Sequence, residues 1–421
     1  MTFRSGRRAA GAAASLALAL ALCACGKKAN ESATTIRFWQ FWDVGVVAPI
    51  VEEFEKQNPG VHVEVEQLTW ATGLEKIQAA LASGTQPDVC ELGSTWLPRF
   101  SYEGVLEDLT SVYQAERDSF LLWDSAMWKG NAYGLPWLQG SRALFYNRDL
   151  FRQAGLDPDH PPDTWDELLD ASRRIRALGQ DVYGFGQNIG EKYVLYKKFM
   201  AFAWGNGGDV FDAQGHVAIN SPAMVEALEF YLKLAPYSLQ EKQEVLDQYF
   251  KTGKLGMQVS GAWNLKNYAL EAPNLDYGVA LVPRPAAGRG EHASFAGAEM
   301  LVVFRGSKQR DAAVRLARFL QAYPQARAVS LAAGSVFPAS REAMDDTTFT
   351  NDPRVRVFVE QSLTSHTPPA HPGWVEMEDV IDHAVEECMY GRRAPRWCLD
   401  DAAKQIAEIA ARFDNKQGTT P

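Results

Sequence analysis

The sequence has few of the residues that usually build metal centres. It contains five cysteines and seven histidines among 421 residues, and the histidines are scattered along the chain. No group of these residues has the spacing of a metal-ligand set, such as the paired cysteines and histidines of a zinc site. We therefore expect neither a metal ion nor any other cofactor.

A second absence is a stripe of lysine and arginine. The chain has 42 basic and 52 acidic side chains, which gives a net charge of −10. Proteins that bind nucleic acid concentrate positive charge on one face, because the phosphate backbone is polyanionic. We exclude nucleic acid as a partner on this ground.

Long hydrophobic runs are absent after the first residues. Arg7 and Arg8 precede an Ala/Leu-rich run at residues 9–22, which is too short to span a bilayer comfortably. A basic segment followed by an apolar one predicts an export signal. We place this signal peptide at residues 1–24.

The predicted signal peptide runs into the motif Leu-Cys-Ala-Cys-Gly at residues 22–26. This motif resembles the lipobox of bacterial lipoproteins, which implies cleavage before Cys25 and lipidation of its sulfur. Residues 25–33 would then be a lipidated tether, and the protein would be exported and anchored to the membrane through Cys25. An ordinary secretory signal is the alternative.

Export would place the remaining cysteines in a compartment where disulfides form. Cys388 and Cys398 lie on either side of the turn-forming residues 391–395. A local disulfide between them is one prediction, and two free thiols are the alternative. Cys90 lies in the middle of a predicted strand, so we expect a buried thiol there.

Residues 35–98 predict the fold class. Three short apolar strand patterns alternate with two helical patterns, and short polar joints separate them. This order is typical of an open parallel α/β sheet. Ligands bind beyond the carboxyl ends of the strands in such sheets. Two of these ends are residues 39–43 and 93–96, and both are rich in aromatic and small polar side chains.

The length of the chain predicts two domains rather than one. A Pro/Gly loop at residues 283–292 and a segment at residues 334–340 have the composition of crossovers between domains. The resulting division is lobe one at 34–138 and 283–339, lobe two at 139–282 and 340–413, and a tail at 414–421.

Several segments, taken in order, carry a specific pattern of aromatic, glycine and proline residues. They run from Phe38-Trp39 to Pro59-Gly60-Val61, from Ser83-Gly84 to Trp96, from Tyr133 to Asn147, across Asn206-Gly207-Gly208-Asp209, from Gly253-Lys254 to Trp263, and from Gly297 to Phe304 with Gly306-Ser307-Lys308. Together they resemble the extracellular solute-binding proteins of ABC sugar importers, family 1, in the branch typified by maltose-binding protein. The resemblance covers nearly all of the chain after the signal.

This resemblance implies a two-lobed periplasmic-binding-protein fold of type II, α/β in both lobes, with hinge crossovers and a ligand cleft between the lobes. It implies a binding protein and not an enzyme. The lobes close around a sugar by hinge bending, and the closed form is recognised by the permease subunits of the importer in the membrane. We expect the protein to be a monomer.

A sugar ring presents C–H faces that stack on aromatic rings and hydroxyls that pair with planar polar groups. The side chains that we expect to contact ligand are Trp39, Phe41, Trp42, Asp43, Glu91, Ser94, Thr95, Trp96, Trp137, Gln139, Arg142, Trp204, Asn206, Ser260, Trp263, Gly297, Glu299 and Trp374. For Trp204 and Trp374, packing against a helix is the alternative. The tryptophans expected in the core or on the surface are Trp70, Trp123, Trp128, Trp165 and Trp397.

Three positions in this set have a more specific interpretation. Trp263 matches the family position at which a tryptophan stacks on the sugar. Thr95 stands where the family often has a carboxylate, so Glu91 or Asp43 would supply that charge instead. Arg142 is either a ligand donor or one side of a salt bridge across the hinge.

Other classes of function remain as alternatives. A secreted glycosidase would need two acids that flank the bond, and no spacing among Glu91, Glu299, Asp43 and Glu378 singles out such a pair. The same fold binding a glycerol phosphodiester or another polar metabolite is the main rival. A phosphate would want several clustered cations, and only Arg142 lies in a matched segment, so we prefer a neutral oligosaccharide. A sensory lipoprotein is the third alternative.

Overall fold

The computed structural model describes residues 34–113 and 116–415. The predicted signal peptide, the tether with Cys25, and residues 416–421 of the predicted tail lie outside these ranges. Among the described residues, no helix combines the length and the apolar character that crossing a membrane requires.

Strands and helices alternate along most of the chain. The strands are β1 (Thr34–Gln40), β2 (Val61–Gln67), β3 (Val89–Gly93), β4 (Met127–Trp128), β5 (Asn131–Ala132), β6 (Leu135–Asn147), β7 (Tyr183–Asn188), β8 (Ser238–Glu241), β9 (Leu255–Gly261), β10 (Tyr277–Ala280), β11 (Ser294–Val303), β12 (Phe337–Pro338) and β13 (Ser365–His366). The helices are α1 (Val44–Gln57), α2 (Gly73–Ser83), α3 (Leu97–Tyr102), α4 (Thr110–Tyr113), α5 (Arg148–Gln153), α6 (Trp165–Arg176), α7 (Leu195–Gly205), α8 (Pro222–Leu234), α9 (Gln243–Lys251), α10 (Trp263–Glu271), α11 (Arg310–Gln321), α12 (Tyr323–Ala333), α13 (Thr347–Thr350), α14 (Pro353–Ser362), α15 (Trp374–Met389) and α16 (Pro395–Asn415). Short 3-10 helices lie at Arg117–Ser119, Trp123–Ala126, Ala235–Tyr237 and Arg341–Met344.

One large sheet organises these elements. Its strands follow the order β2-β1-β3-β11-β6-β9-β7-β8, with β10 and β12 paired to β6 and β13 paired to β11. β1 runs parallel to β2 and β3, whereas β11 runs antiparallel to both β3 and β6. The predicted α/β class and the parallel pairing of the first three strands are therefore confirmed.

Local signals in the sequence explain where two of the helices begin. The Asp43 carboxylate accepts a hydrogen bond from the Gly45 N–H at 2.8 Å and caps α1. Thr164 and Glu167 form the capping box that the sequence predicts at the start of α6. Between α1 and β2 the chain turns at Gly60, whose φ of 88° strongly favours glycine.

Hydrophobic clusters on both faces divide the sheet into two halves. In the first half, β2, β1, β3 and the adjoining parts of β11 and β6 lie between α1, α11 and α12 on one face and α2 and α3 on the other. In the second half, the rest of β6 with β9 and β7 lies between α6, α7, α8, α15 and α16 on one face and α9, α10 and α14 on the other. Each half is thus an α/β layered unit with its own core.

β6 and β11 belong to both halves. β6 has 13 residues, which corresponds to about 43 Å of strand. Its beginning pairs with β11, and its end, from Arg142 onward, pairs with β9 and β10. The loop at 283–292 instead packs on the second half, where Arg284 forms an ion pair with Asp163 at 2.7 Å. In this structure the chain therefore passes between the halves along β11 and not in that loop.

Cys388 and Cys398 do not form the predicted disulfide in this structure. Cys388 on α15 and Cys398 on α16 are buried free thiols, and Cys90 is buried and free as predicted. The first two thiols lie in hydrogen-bonding contact, and burial, together with this contact, raises the pKa of Cys388. The sequence placed the two residues correctly as neighbours across a turn.

Candidate functional site

Three aromatic rings form a platform beyond the carboxyl ends of β1, β2 and β3. Phe41 stacks on Trp70 with ring centroids 4.1 Å apart and planes at 15°. Trp96 lies edge-on to Phe41 at 5.8 Å and tilted against Trp70 at 5.3 Å. Phe41 and Trp96 are buried, whereas Trp70 is 45% exposed. Phe41, Trp70 and Trp96, the aromatic platform, thus offer an indole surface on a rigid base.

Small residues beside the platform allow the close approach of its rings. A Cβ atom added at Gly93 would lie 3.4 Å from the Trp70 ring, and one added at Gly73 would overlap Phe41 at 2.4 Å. Thr95 is partly exposed at the same edge. Ser94 is buried, and its hydroxyl accepts a hydrogen bond from the Ala298 N–H at 3.2 Å. The Ser94 hydroxyl therefore links the end of β3 to β11.

The second half contributes an aromatic group of its own at the boundary with the first. Trp263 begins α10 directly after β9, and its ring lies across the Gly261 backbone, where an added Cβ would be 1.7 Å from the ring. Arg142, where β6 enters the second half, has its guanidinium carbon 5.5 Å from the Trp263 ring centroid and 4.7 Å from that of Phe295. Lys197 on α7 reaches the same Phe295 ring at 5.3 Å.

The electrostatics at this boundary are unusual because the cations are poorly solvated. Burial lowers the pKa of Arg142 to about 10. Burial also lowers the pKa of Lys197 to about 8, although Glu378 acts in the opposite direction. Among the described residues, neither cation takes part in a hydrogen bond or an ion pair that would neutralise it. The hypothesis of an Arg142 salt bridge across the hinge is therefore not supported, and the donor interpretation remains.

A strained loop at 189–194 closes one side of this region. Tyr193 has a φ of 63°, which is rare for a residue with a Cβ atom. The Asp382 carboxylate on α15 holds the loop by accepting hydrogen bonds from the N–H groups of Tyr193 and Tyr196, at 3.0 and 2.7 Å. Burial and nearby acids, including Glu75 on α2 of the first half, raise the pKa of Tyr193. The loop therefore adjoins the first half across the boundary, which we call the cleft.

Two carboxyl groups lie together where β3 meets β11. Glu91 is fully buried, and its Oε2 atom accepts a hydrogen bond from the Phe41 N–H at 2.8 Å. Burial raises the pKa of Glu91 to about 8, and burial together with Glu91 raises the pKa of Glu299 well above its usual range. Trp42 lies beside both carboxyl groups. Burial thus favours the protonated forms of both acids, which makes them poor sources of the negative charge that Thr95 lacks.

Three of the other tryptophans that the sequence predicts to contact ligand are buried in the core. Trp39 is buried in the cluster with α2, with the Lys76 ammonium 5.1 Å from its ring centroid. Trp137 is fully buried in the core against α1 and packs edge-on to Phe38 at 6.4 Å. Trp374 is also fully buried and packs against Tyr196 at 6.1 Å. We therefore assign Trp39, Trp137 and Trp374 to the core, since burial leaves them no free face for a ligand.

The side chains around the glycine-rich turn after α7 likewise pack against, and hydrogen-bond to, other parts of the protein. Trp204 stacks on His366 at 5.4 Å and donates a hydrogen bond to Asp209 at 3.1 Å. Asn206 donates hydrogen bonds to the Ala223 carbonyl and to Glu226, both at 3.0 Å. Trp204 lies seven residues along α7 from Lys197, which is about 10 Å of helix. Trp204 and Asn206 therefore lie away from the cleft.

The remaining residues predicted to contact ligand lie partly at the cleft and partly in the structure around it. Ser260 is buried and its hydroxyl accepts hydrogen bonds from Gln243 and Asn264, so it belongs to a polar network beneath β9. Gln139 is buried on β6, where it pairs with β12. Gly297 and Glu299 are partly exposed on β11, along the line of the crossing. Asp43 is the cap of α1 already described.

Two residues at the cleft were missed by the sequence analysis. Trp70 was expected in the core or on the surface, and the signal that identifies it is its place three residues after the end of β2. Lys197 was not considered, although a pair of lysines within the otherwise apolar helix α7 is a detectable anomaly.

Comparison with known proteins gives a consistent result. A family model described as bacterial extracellular solute-binding protein matches residues 44–326. A protein of Brucella abortus described as a binding protein is 28% identical over 371 residues, which cover 86% of this chain and 88% of that protein. The sn-glycerol-3-phosphate-binding periplasmic protein UgpB of Salmonella paratyphi A is 25% identical, with 91% of this chain and 94% of that protein covered.

Solved structures show the same architecture. The sugar-binding protein MalE of Xanthomonas citri superposes with a TM-score of 0.81 and 26% identity, covering 92% of this chain and all of that one. That protein and UgpB are binding proteins and not enzymes, which excludes the glycosidase alternative.

Proposed function

Because this chain belongs to the family of bacterial extracellular solute-binding proteins, we propose that it captures a polyhydroxylated solute, a sugar or a sugar-like polyol, in the cleft between its two halves. The observation that carries the proposal is the exposed Trp70 indole, held on a buried aromatic base at the carboxyl edge of β1, β2 and β3. The place of this ring is what favours binding, because ligands of open α/β sheets bind beyond the carboxyl ends of the strands. A pyranose C–H face is a matched occupant.

The two halves would contact different parts of the solute. The aromatic platform lies in the first half, and Trp263 lies in the second, at the start of α10. Two separate aromatic surfaces favour a solute with more than one ring or with a substituent on its ring. The relatives agree in chemistry, since MalE is a sugar-binding protein and UgpB binds glycerol 3-phosphate, a polyol derivative.

Delivery would follow from the connections between the halves. β6 and β11 run through both halves, and β12 pairs with β6 at the same level. Bending at these few crossings would close the halves over a bound solute without disturbing either core. The closed form would then dock on the permease subunits of an ABC importer, while the lipid anchor at Cys25 would keep the protein at the membrane.

Binding is tested by the thermal unfolding of the purified protein with a panel of glucose, galactose, maltose, cellobiose, maltotriose and glycerol. A solute that binds only the folded state adds about 2.7 kcal/mol of stability at 100 times its Kd, so its effect on Tm is easily measured. We expect Trp70→Ala and Trp263→Ala to remove the shift. Trp397→Ala is the matched control, because Trp397 is 65% exposed on α16 outside the cleft.

Two results of this thermal unfolding experiment would contradict the proposal. A shift that survives both cleft substitutions would place the solute elsewhere. A panel in which only amino acids or metal complexes raise the Tm would contradict the proposed solute class while leaving the fold unaffected.

A further inference from the structure

Two positive side chains at the cleft share one aromatic ring, and neither forms an ion pair among the described residues. The Arg142 guanidinium and the Lys197 ammonium lie 4.7 and 5.3 Å from the centroid of the Phe295 ring. In residues 34–113 and 116–415, no carboxylate lies within ion-pair distance of either group. Both residues are partly exposed. Like charges held this close in a poorly solvated place are unfavourable without an anion.

The acids near Lys197, Glu378 and Asp382, favour its charged form, but neither forms an ion pair with it among the described residues. Asp382 is engaged with the N–H groups of Tyr193 and Tyr196 at the start of α7. Glu378 is buried on α15, where burial raises its pKa and Lys197 opposes this shift. Arg142 itself acts on Lys197 as a like charge and lowers its pKa. The rings of Trp263, Phe295 and Tyr196 offer only their π faces to the two cations.

We propose that Arg142 and Lys197 together bind the phosphate group of a phosphorylated sugar or polyol, which makes the solute of this protein an anion. The inference rests on the proposed function, since it concerns the same cleft. A guanidinium presents a planar fork of donors and an ammonium a compact set of three, and neither accepts a hydrogen bond. A phosphate, with oxygens in several directions, satisfies both at once when they approach from different elements, here β6 and α7.

This assignment revises the preference for a neutral oligosaccharide. That preference rested on Arg142 being the single cation in the matched segments, and the fold places Lys197 on the same Phe295 ring. The aromatic platform and Trp263 would still contact the carbon skeleton of the solute. The two parts of the cleft would thus recognise the two parts of one molecule.

Isothermal titration of the purified protein tests the proposal with sn-glycerol 3-phosphate, glycerophosphocholine, glucose 1-phosphate, glucuronate, maltose and inorganic phosphate as probes. We expect saturable binding of at least one phosphorylated compound, weakened by added salt. Arg142→Gln and Lys197→Gln should each raise its Kd by about 10- to 100-fold, as expected for a lost charge-assisted hydrogen bond. Arg142→Lys should retain part of the affinity. Lys308→Gln, an exposed position in the first half, is the control.

Each alternative result has a distinct meaning. Binding of maltose alone, unaffected by the two substitutions, overturns the phosphate site and leaves the proposed function in place. Binding of glucuronate alone, dependent on Arg142, replaces phosphate by carboxylate and also overturns it. No binding of any probe by protein that circular dichroism shows to be folded would overturn the proposed function and this inference with it.

Discussion

The paired acids Glu91 and Glu299 should make the folded state less stable as the pH rises. Glu91 is fully buried between β1 and β11, and its Oε1 atom has no hydrogen-bond partner among the described residues. Burial is the largest cause of its raised pKa, and hydrogen bonds from the Phe41 N–H and its neighbours only partly oppose it. The perturbation is Glu91→Gln, which keeps the shape of a protonated carboxyl group but cannot ionise.

The size of the effect follows from the two pKa values of Glu91. In the unfolded chain the pKa is near 4.5, and in the folded protein burial raises it to about 8. Between these values the folded state holds a proton that the unfolded state has released, so the free energy of unfolding falls by up to about 1.4 kcal/mol per pH unit. Over the whole window the loss approaches ~5 kcal/mol. Glu299 acts in the same direction, because burial and Glu91 raise its pKa as well.

Urea denaturation at pH 5, 6, 7 and 8 measures this loss directly. Glu91→Gln should match the wild type near pH 5 and should exceed its stability by several kcal/mol at pH 8. Glu64→Gln, on the exposed side of β2, is the control and should follow the wild type throughout. Parallel stability curves for the wild type and Glu91→Gln would refute the reasoning, since they would mean that Glu91 gains no proton on folding.

Two further substitutions test the construction of the cleft and of one helix. Gly261→Ala places a Cβ 1.7 Å from the Trp263 ring, so the ring must move, and the solute affinity measured by titration should fall at least tenfold while the circular dichroism spectrum stays unchanged. An unchanged affinity would show that Trp263 has no part in binding. Thr164→Ala removes the cap of α6 and should cost about 1 kcal/mol in urea denaturation, whereas Thr164→Ser should cost little.

The first half of the fold was predictable because its signals are local. The periodicity of α1, the alternation in β2 and the turn at Gly60 each depend on fewer than about ten neighbouring residues, and a parallel α/β unit joins such elements in a fixed hand. What the sequence could not give is the position of β11, which inserts between β3 and β6 from the other end of the chain. The hydrogen bond from the Ser94 N–H to the Ala298 carbonyl illustrates such a non-local contact.

The aromatic residues show the limit of prediction within the site. Trp137 lies in a segment where the family resemblance implies ligand contacts, yet β6 is covered on both faces there and the ring faces the core. Trp70 lies in a loop with no periodicity, so no sequence pattern predicts its stacking on Phe41. A composition of 12 tryptophans predicts that some contact ligand, but the division between core and cleft depends on tertiary packing.

The two adjacent lysines of α7 show what counting charges in a sequence leaves out. Successive helix positions are about 100° apart, so neighbours on one helix serve different surroundings. Lys198 turns inward and hydrogen-bonds to Gln243; burial lowers its pKa to about 7, and Asp247 opposes part of this shift. Lys197 turns to Phe295 and forms no ion pair among the described residues, although Glu378 favours its charged form. The fold therefore gives the two lysines different surroundings, a distinction that depends on what β11 and α9 place beside each of them.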